Sequence, residues 1–379
     1  MSDEFKRKLE AYEKGELPAK EAEEIEKDLE KLEQYLEVME EPITEVSKKP
    51  SLSEKKQKKI MKYSKWKARW LTAFSVFGIF IVFTIVSSII TNVFYAWGNP
   101  DRSEVYRNII DYTLTVTDPY GQYGGGGSNT TAYFGMEATR DLNKQVGSNM
   151  KKVGEIKTKF LFALMGNPVK TDYGTVSQNV PSFSYPGVGD ENPQGWERLE
   201  KLPEETVVSA YLSFSKLMDT KEVLKQFEGK NMELIWLAVD TGKEGKEENF
   251  TDPIGFPGSP IWFEDDMILD SRVEEKGKFG SGTISESYSS PDYEEGDPQI
   301  LHQQFMKTLT FLEKYEGKAN KLYFGNLELS QRIKYLEKNG FQHYGVVITG
   351  PTKEVLKLQK EKWARDIAID EVDLWNWDR

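Results

Sequence analysis

The sequence contains no cysteine and only two histidines, His302 and His343, among its 379 residues. The absence of cysteine excludes a disulfide framework, a zinc finger, an iron–sulfur cluster and a thiol nucleophile. Two histidines cannot supply the imidazoles of a three-histidine metal site. The motifs G-x-S-x-G and H-E-x-x-H and the phosphate loop are also absent. We therefore predict no catalytic residue, no metal site and no cofactor, and we expect structural roles for both histidines.

Charge is distributed very unevenly along the chain, although the net charge is only -12. Residues 1–46 carry 16 acidic and 7 basic side chains, which gives a net charge of -9. Residues 47–69 carry 10 basic side chains and a single acid, Glu54, which gives +9. The remaining residues have a net charge of -12. These three blocks predict parts of the protein that meet different surroundings.

Residues 70–97 form an uncharged run of 28 residues, rich in Phe, Ile, Val and Leu. A helix of this length reaches roughly 42 Å, which covers a hydrocarbon core of about 30 Å and both interfaces. Aromatic residues stand at both ends, Trp70 at one and Phe94, Tyr95 and Trp97 at the other, where interfacial belts belong. The pattern predicts one transmembrane helix. A buried core helix of a soluble protein is the disfavoured alternative, because such helices are rarely so long and free of charge.

The flanking charges predict the orientation of this helix. Lys65, Lys67 and Arg69 belong to a cluster of bases on its N-terminal side. The positive-inside rule then places residues 1–69 in the cytoplasm and residues 98–379 outside the plasma membrane. We predict that these three bases, with Trp70 and Trp97, anchor the helix in the lipid bilayer. Nucleic-acid binding by the basic run is not expected, because its juxtamembrane position favours anionic lipid headgroups.

The N-terminal residues show apolar stripes with helical spacing. Gly15 and Pro18 predict a turn between two helices. A helix pair this short buries little apolar surface, so either the stripes pack on each other or a partner protein completes the core. The predicted framework or contact set consists of Phe5, Leu9, Tyr12, Leu17, Ile25, Leu29, Leu32 and Leu36.

The stretch LEAYEKGELPAKEAEEIEKDLEKLEQY resembles the anti-sigma domain of bacterial membrane anti-sigma factors. Many members of that family bind zinc through His-x-x-x-Cys-x-x-Cys, whereas the corresponding positions here are Asp28, Leu32 and Tyr35. The resemblance therefore implies a zinc-free version of the domain, with apolar packing in place of the metal.

The C-terminal part carries a closer resemblance. YLEKNGFQHYGVVITGPTKEV, the ending EVDLWNW and the motif IGFPGS look like the sigma-factor-regulator family, and specifically like the Sigma-M-type anti-sigma factors of Gram-positive bacteria. The similarity covers most of the chain, including SEKKQKKI and the apolar run. It implies that the chain inhibits an extracytoplasmic-function (ECF) sigma factor. A second small membrane protein is a further candidate partner.

A repeated hexamer suggests how the C-terminal domain is built. TKEVLK occurs at residues 220–225 and 352–357, each time after a strand-like run and before another apolar run. The pattern predicts an α/β or α+β domain with two related strand–helix–strand units in a parallel or mixed sheet. Helices are predicted around residues 301–312 and 329–336. A half-exposed strand is predicted at residues 107–118, and loops at the glycine run 124–127 and the acidic segment 264–297.

The sequence thus predicts three parts: a helical module (residues 1–69), a transmembrane helix (70–97) and an external sensor or regulatory domain (98–379). The favoured interpretation is an anti-sigma factor that sequesters its partner at the membrane and releases it on an envelope signal. The alternatives are a membrane-anchored extracytoplasmic enzyme and a cell-envelope binding or assembly scaffold. Deletion of residues 1–69 separates them, because the external function of an enzyme or scaffold should survive it.

Overall fold

The structure is a computed structural model that describes residues 7, 11–12, 15, 18–40, 53–119, 121–173, 182–244, 253–276 and 282–377. The chain forms two compact units, Met1–Ile79 and Phe80–Arg379, and the division falls inside one long helix.

The helices follow one another in this order: α1 (Ala19–Glu40), α2 (Glu54–Tyr95), α3 (Arg102–Thr117), α4 (Gln194–Glu200), α5 (Thr220–Phe227), α6 (Pro298–Glu313), α7 (Glu316–Tyr323), α8 (Leu329–Asn339) and α9 (Thr352–Leu356). The strands are β1 (Gly121–Thr131), β2 (Gly135–Val146), β3 (Asn149–Leu161), β4 (Leu164–Met165), β5 (Val169–Asp172), β6 (Thr206–Asp219), β7 (Glu233–Val239), β8 (Gly255–Pro257), β9 (Ile268–Lys276), β10 (Gly282–Ser289), β11 (Gln342–Pro351) and β12 (Ala364–Leu374).

The long helix α2 continues without a break for 42 residues. Its apolar segment is long and apolar enough to cross a membrane. Its large side chains are exposed, for example Phe74 at 63% and Ile79 at 70%. Water would penalise such a surface, at about 25 cal/mol for each Å² of apolar area. The exposure argues against the alternative of a soluble core helix, whose side chains would be buried.

Helix α3 replaces the strand predicted at residues 107–118, so that prediction was wrong. The Asp101 side chain caps the helix by accepting a hydrogen bond from the Glu104 amide at 2.7 Å. Both Ile110 and Tyr112 are buried although they lie on different sides of α3, because it packs between two cores. Burial on both sides produced the apolar alternation that resembled a strand. The threonines satisfy their hydroxyls within the helix, as Thr113 does by donating to the Ile109 carbonyl at 2.6 Å.

The first sheet is an antiparallel meander in which β1, β2, β3 and β4 are neighbours in this order and β5 also pairs with β3. Its core contains Ile109 and Ile110 of α3 against Met136, Ile156 and Phe160 of the strands. The glycine run 124–127 lies in β1 and pairs with β2, with a register shift between Gly124 and Gly126. The predicted loop there was therefore wrong.

The second sheet has the strand order β12-β6-β11-β7-β8. Both predicted strand–helix–strand units are present, as β6–α5–β7 and as β11–α9–β12. Each unit leaves a gap of one strand, which a strand of the other unit fills, as in the split βαβ arrangement. All neighbouring strands are consequently antiparallel, and the predicted parallel or mixed sheet was wrong. The domain is α+β.

A further correction concerns the acidic segment 264–297. Instead of a continuous loop, it contains the antiparallel hairpin β9–β10. Arg272 pairs across this hairpin with Glu286 at 3.3 Å. Alternating serines and charged residues had hidden the two strands, because neither strand shows an apolar face.

The two sheets meet at the turn between β2 and β3. The Gly147 amide donates to the Thr349 hydroxyl at 2.7 Å, and the Asn376 side-chain amide donates to the Val146 carbonyl at 3.1 Å. Nearby, Lys144 of β2 forms a buried ion pair with Asp370 of β12 at 2.7 Å. The β2–β3 turn, strand β2 and the C-terminal residues therefore connect the two sheets, and we call this connection the joint.

We predict that Gly147→Ala loosens this joint. Gly147 has a φ of +66°, and an added Cβ would lie 1.9 Å from the Asn376 side-chain oxygen. Left-handed strain and overpacking together should lower the free energy of unfolding by about 2–4 kcal/mol. Chemical unfolding of the full chain in detergent measures the loss. Gly187→Ala is the matched control, because Gly187 has a φ of +76° in open space and should show the strain alone. Equal losses in the two variants would contradict the steric role of Gly147.

Candidate functional site

Helix α1 presents one apolar stripe, and its N-terminal half is partly covered. Ile25 is only 4% exposed, and Leu29 is half-buried. The Tyr12 hydroxyl, from the preceding segment, donates to the Glu26 carboxylate at 2.7 Å. This bond raises the pKa of Tyr12, because loss of the phenol proton would place two negative charges together. The Gly15 amide bonds to the Tyr12 carbonyl at 3.0 Å, which forms the turn predicted between the helices.

The C-terminal half of the same stripe is uncovered. Leu32 is 38% exposed, Leu36 is 54% exposed and Tyr35, beside them, is 75% exposed. An isolated exposed leucine needs no explanation, but three adjoining apolar side chains on one helix are typical of a binding surface. We call Leu32, Tyr35 and Leu36 the distal stripe. Tyr35 was absent from the predicted contact set, although its spacing of three from Leu32 would have included it.

Three members of the predicted set, Phe5, Leu9 and Leu17, lie outside the described residues. At the positions that correspond to zinc ligands in the resembling family, Asp28 pairs with Lys31 at 3.2 Å. Within the described part of the chain, no group of three or more His, Asp or Glu side chains could hold a metal ion.

The predicted membrane anchors are all exposed, and all but Trp97 lie on α2. Lys65, Lys67 and Arg69 precede the apolar segment, and Trp70 begins it. Trp97 follows the helix and is 66% exposed. Tyr95, expected in the same aromatic belt, is instead buried at 1% exposure. The Tyr95 ring therefore packs against other protein residues and does not contribute to an interfacial belt.

The two histidines of the chain share one hydroxyl, that of Thr220 at the start of α5. Thr220 Oγ1 lies 2.6 Å from His302 Nε2 and 2.7 Å from His343 Nε2. His343 Nδ1 lies 3.1 Å from the Ala238 carbonyl, which can only accept, so this nitrogen carries the proton. His343 Nε2 then accepts from Thr220, and Thr220 accepts from His302 Nε2. The chain of donors is thereby fixed.

Burial holds both imidazoles neutral. It lowers the pKa of His302 to about 4 and that of His343 to about 3. In the unfolded chain both rings take up protons near pH 6.5, so these two groups stabilise the fold fully only above that pH. Their contribution decreases as the pH falls from about 6.5 toward their folded pKa values. Because Thr220 is 1% exposed and His343 fully buried, the hydroxyl is inaccessible to a substrate.

A second buried polar group, which the sequence did not indicate, links the segment after β7 to α8. Arg332 pairs with Glu244 at 2.6 Å, and both side chains are almost completely buried. Glu244 also accepts from the Thr241 and Lys243 amides at 2.8 and 3.0 Å. Buried charges need such partners, because removal of one would leave the other uncompensated at a cost of about 3–5 kcal/mol. The cluster is structural.

A cleft of about 1170 Å³ opens beside β7 and β8. Its lining combines the cations Lys221 and Lys225 with the aromatic rings of Trp262 and Tyr293. The two rings form an edge-to-face pair with centroids 5.9 Å apart. Glutamates line the same cleft, among them Glu228 and Glu294, so its charge favours neither an anionic nor a cationic ligand.

Comparison with known proteins gives matches over most of the chain. The model of the sigma factor regulator C-terminal domain matches residues 199–371, and that of the sigma factor regulator N-terminal domain matches residues 58–151. The probable anti-sigma-M factor YhdL of Bacillus subtilis strain 168 is 28% identical over 386 residues, which cover the whole of both chains. No solved structure matches this chain.

The histidine cluster generates a direct prediction. Neither imidazole should titrate between pH 8 and pH 5, because burial disfavours the charged ring more than the nearby carboxylates of Asp219 and Asp297 favour it. With only two histidines in the chain, ring-labelled histidine gives two sets of NMR signals, whose ¹⁵N shifts report the tautomers. We expect His343 protonated at Nδ1 and His302 at Nε2. Thr220→Val keeps the side-chain shape but should alter both sets of shifts. A midpoint near pH 6.5 for either ring would refute the buried, neutral pair.

Proposed function

Because the chain belongs to the sigma factor regulator family, we propose that it is a membrane-tethered anti-sigma factor whose residues 1–69 sequester an ECF sigma factor. Both halves of the family are represented, and the relative matched along its whole length is a probable anti-sigma-M factor. Regulation of a sigma factor follows from the family. The class of sigma factor, the cytoplasmic location of residues 1–69 and release on an envelope signal belong to the proposal.

The uncovered distal stripe is the observation that carries the proposal. In α1, the residues around Ile25 have internal partners, whereas Leu32, Tyr35 and Leu36 have exposed apolar surface. A partner that buries this surface gains about 25 cal/mol for each Å² of apolar area removed from water. The sigma factor would thus complete a core that the short N-terminal module leaves open.

Charge supports the same partner surface. Residues 1–46 carry a net charge of -9, so a basic partner would be attracted over distances of about one Debye length, roughly 8 Å at physiological salt. Opposite charge raises the association rate more than the affinity. Apolar contacts of the distal stripe would then determine how long the complex lasts.

The mechanism requires no covalent chemistry. An anti-sigma factor competes for the surfaces that a sigma factor presents to core polymerase and promoter DNA, and the membrane helix keeps the complex away from the nucleoid. A signal received by residues 98–379 would weaken the complex and free the sigma factor. A second small membrane protein is a candidate participant in that release.

We predict that Leu32→Asp releases the sigma factor. The aspartate places a charge in the apolar contact, so binding of residues 1–69 to the ECF sigma factor should weaken at least tenfold, equivalent to about 1.4 kcal/mol. Co-purification from cells measures binding, and a sigma-dependent reporter measures the rise in transcription. Gln34→Asp introduces the same side chain on the opposite face of α1 and should change neither. Normal repression by Leu32→Asp would exclude the distal stripe as the contact.

We also predict the orientation of the chain. Because the sequence has no native cysteine, single cysteines can be placed at Ser53 and at the exposed Ser271. In intact cells a membrane-impermeant maleimide should label Ser271→Cys and leave Ser53→Cys unlabelled, and permeabilised cells should label both. The reverse pattern would invert the proposed topology, and labelling of both in intact cells would exclude a membrane barrier between them.

A further inference from the structure

Two β-hairpin turns in the first sheet have an unusual composition. The β1–β2 turn contains Ala132, Tyr133 and Phe134, and the β3–β4 turn contains Phe162 and Ala163 between two leucines. Turns in water are dominated by Gly, Asn, Asp, Pro and Ser. We call these two segments, residues 131–135 and 161–165, the apolar turns. Neither contains a charged side chain.

The apolar turns also adopt a costly backbone conformation. Tyr133, Phe134 and Phe162 have φ values of 65°, 69° and 51°. Bulky residues rarely occupy this left-handed region, and each pays of order 1–3 kcal/mol to do so. Asparagine or glycine would avoid the cost. Large aromatic side chains at these positions therefore indicate a requirement for their rings.

Both turns pack against the C-terminal third of the long helix. The Tyr133 ring stacks on Phe83 with centroids 5.7 Å apart, and its hydroxyl lies 2.8 Å from Thr84 Oγ1. Phe162 stacks on Phe134 at 4.7 Å and meets Phe94 edge-to-face at 5.0 Å. The turns thus follow the helix down to Phe83, well inside its apolar segment.

Hydroxyl groups of the helix satisfy the backbone of the turns. The Phe134 amide donates to Thr91 Oγ1 at 2.8 Å, and the Tyr95 hydroxyl lies 3.2 Å from the carbonyls of both Phe134 and Phe162. The Phe162 amide bonds to the Phe134 carbonyl at 2.9 Å. Non-helical backbone is tolerated at membrane depth only when protein groups provide such partners, because hydrocarbon provides none.

The contacts with the helix give the depth of the turns, and the strands give the distance from the turns to the first charges. Counted from Trp70, a hydrocarbon core of about 30 Å ends near Ile90, which places Thr84 about 9 Å inside the far boundary. On the strands, the first charged pair is Glu137 with Lys159, joined at 2.8 Å. Glu137 lies three residues from Phe134, or about 10 Å along the strand. The Tyr133 side chain therefore reaches about 9 Å into the hydrocarbon, whereas the Phe134 amide, which donates to Thr91, lies at its boundary. The first charges lie about 10 Å farther along the strand, outside the hydrocarbon.

We propose that the apolar turns insert into the lipid leaflet on the C-terminal side of the transmembrane helix and hold the first sheet upright on the membrane. Large apolar side chains of the turns are exposed, with Leu164 at 72% and Leu161 at 53%, and even Tyr133, which packs on the helix, is 40% exposed. In lipid this surface is stabilised rather than penalised. The insertion depth matches the 5–10 Å typical of monotopic anchors. The proposal rests on the proposed membrane span but not on its direction.

Spin labelling of the full-length chain in phosphatidylcholine–phosphatidylglycerol vesicles tests this insertion. A nitroxide on Leu164→Cys should collide severalfold more often with oxygen, which concentrates in lipid, than with a water-soluble nickel chelate. Met150→Cys is the matched control, because Met150 is 44% exposed at the opposite end of the same sheet. There the nickel chelate should dominate.

A third label separates the possible failures. A nitroxide on Phe77→Cys reports the span itself, and contact of that label with nickel would overturn both the span and the insertion. If Phe77→Cys is lipid-exposed while Leu164→Cys is as accessible to nickel as Met150→Cys, only the insertion is overturned. Poor access of both reagents to Leu164→Cys would mean that protein, such as a second copy of the chain, covers the turns, and this also overturns lipid insertion.

Discussion

One polar face of the long helix constrains everything that follows it in the chain. Thr84, Thr91 and Tyr95 lie on this face, and their hydroxyls are the partners of the two apolar turns. Just beyond, Arg102 of α3 donates to the Phe94 carbonyl at 2.9 Å and stacks on the Phe94 ring. These contacts fix the start of α3 and the turns of the first sheet together. The helix therefore ends in a specific docking surface, not in a free linker.

Strand β2 extends this attachment across the domain. Its first residue, Gly135, directly follows the β1–β2 turn, in which the Phe134 amide donates to the Thr91 hydroxyl. At its C-terminal end, Lys144 pairs with Asp370, and Gly147 bonds to Thr349 in the second sheet. A strand of 12 residues spans roughly 40 Å, so one continuous element connects the helix face to the second sheet. The first sheet therefore provides a contiguous packed connection between the membrane helix and the second sheet.

The sequence predicted the parts of the fold that have a single buried face. The helices α6 and α8 and the four main strands of the second sheet lie where their apolar spacing indicated. Helix α3 was misread because it packs on two sides, and β9 and β10 because they have no apolar side. The antiparallel order was not predictable from two strand–helix–strand units, since each unit by itself leaves open which strand fills its gap.

For the candidate site, too, the sequence predicted one part correctly and could not predict another. Helical spacing identified Ile25, Leu29, Leu32 and Leu36, but Ile25 and Leu29 are covered whereas Leu32 and Leu36 are exposed. That difference depends on tertiary contacts and cannot be read from periodicity. The apolar turns could have been found from sequence, because Tyr133-Phe134 and Phe162-Ala163 stand where a hairpin ordinarily carries Asn or Gly.

The charge blocks acquire a physical role once the helix is placed in a membrane. With residues 1–69 on the cytoplasmic side, as proposed, each base of residues 47–69 near an anionic surface contributes about 1 kcal/mol of attraction. The same surface repels the acidic residues 1–46, which keeps α1 and its distal stripe away from the lipid. An apolar stripe that would otherwise bind the bilayer therefore remains available to a protein partner. The sign change near residue 47 thus selects protein over lipid on this side of the membrane, whereas the uncharged turns select lipid on the other side.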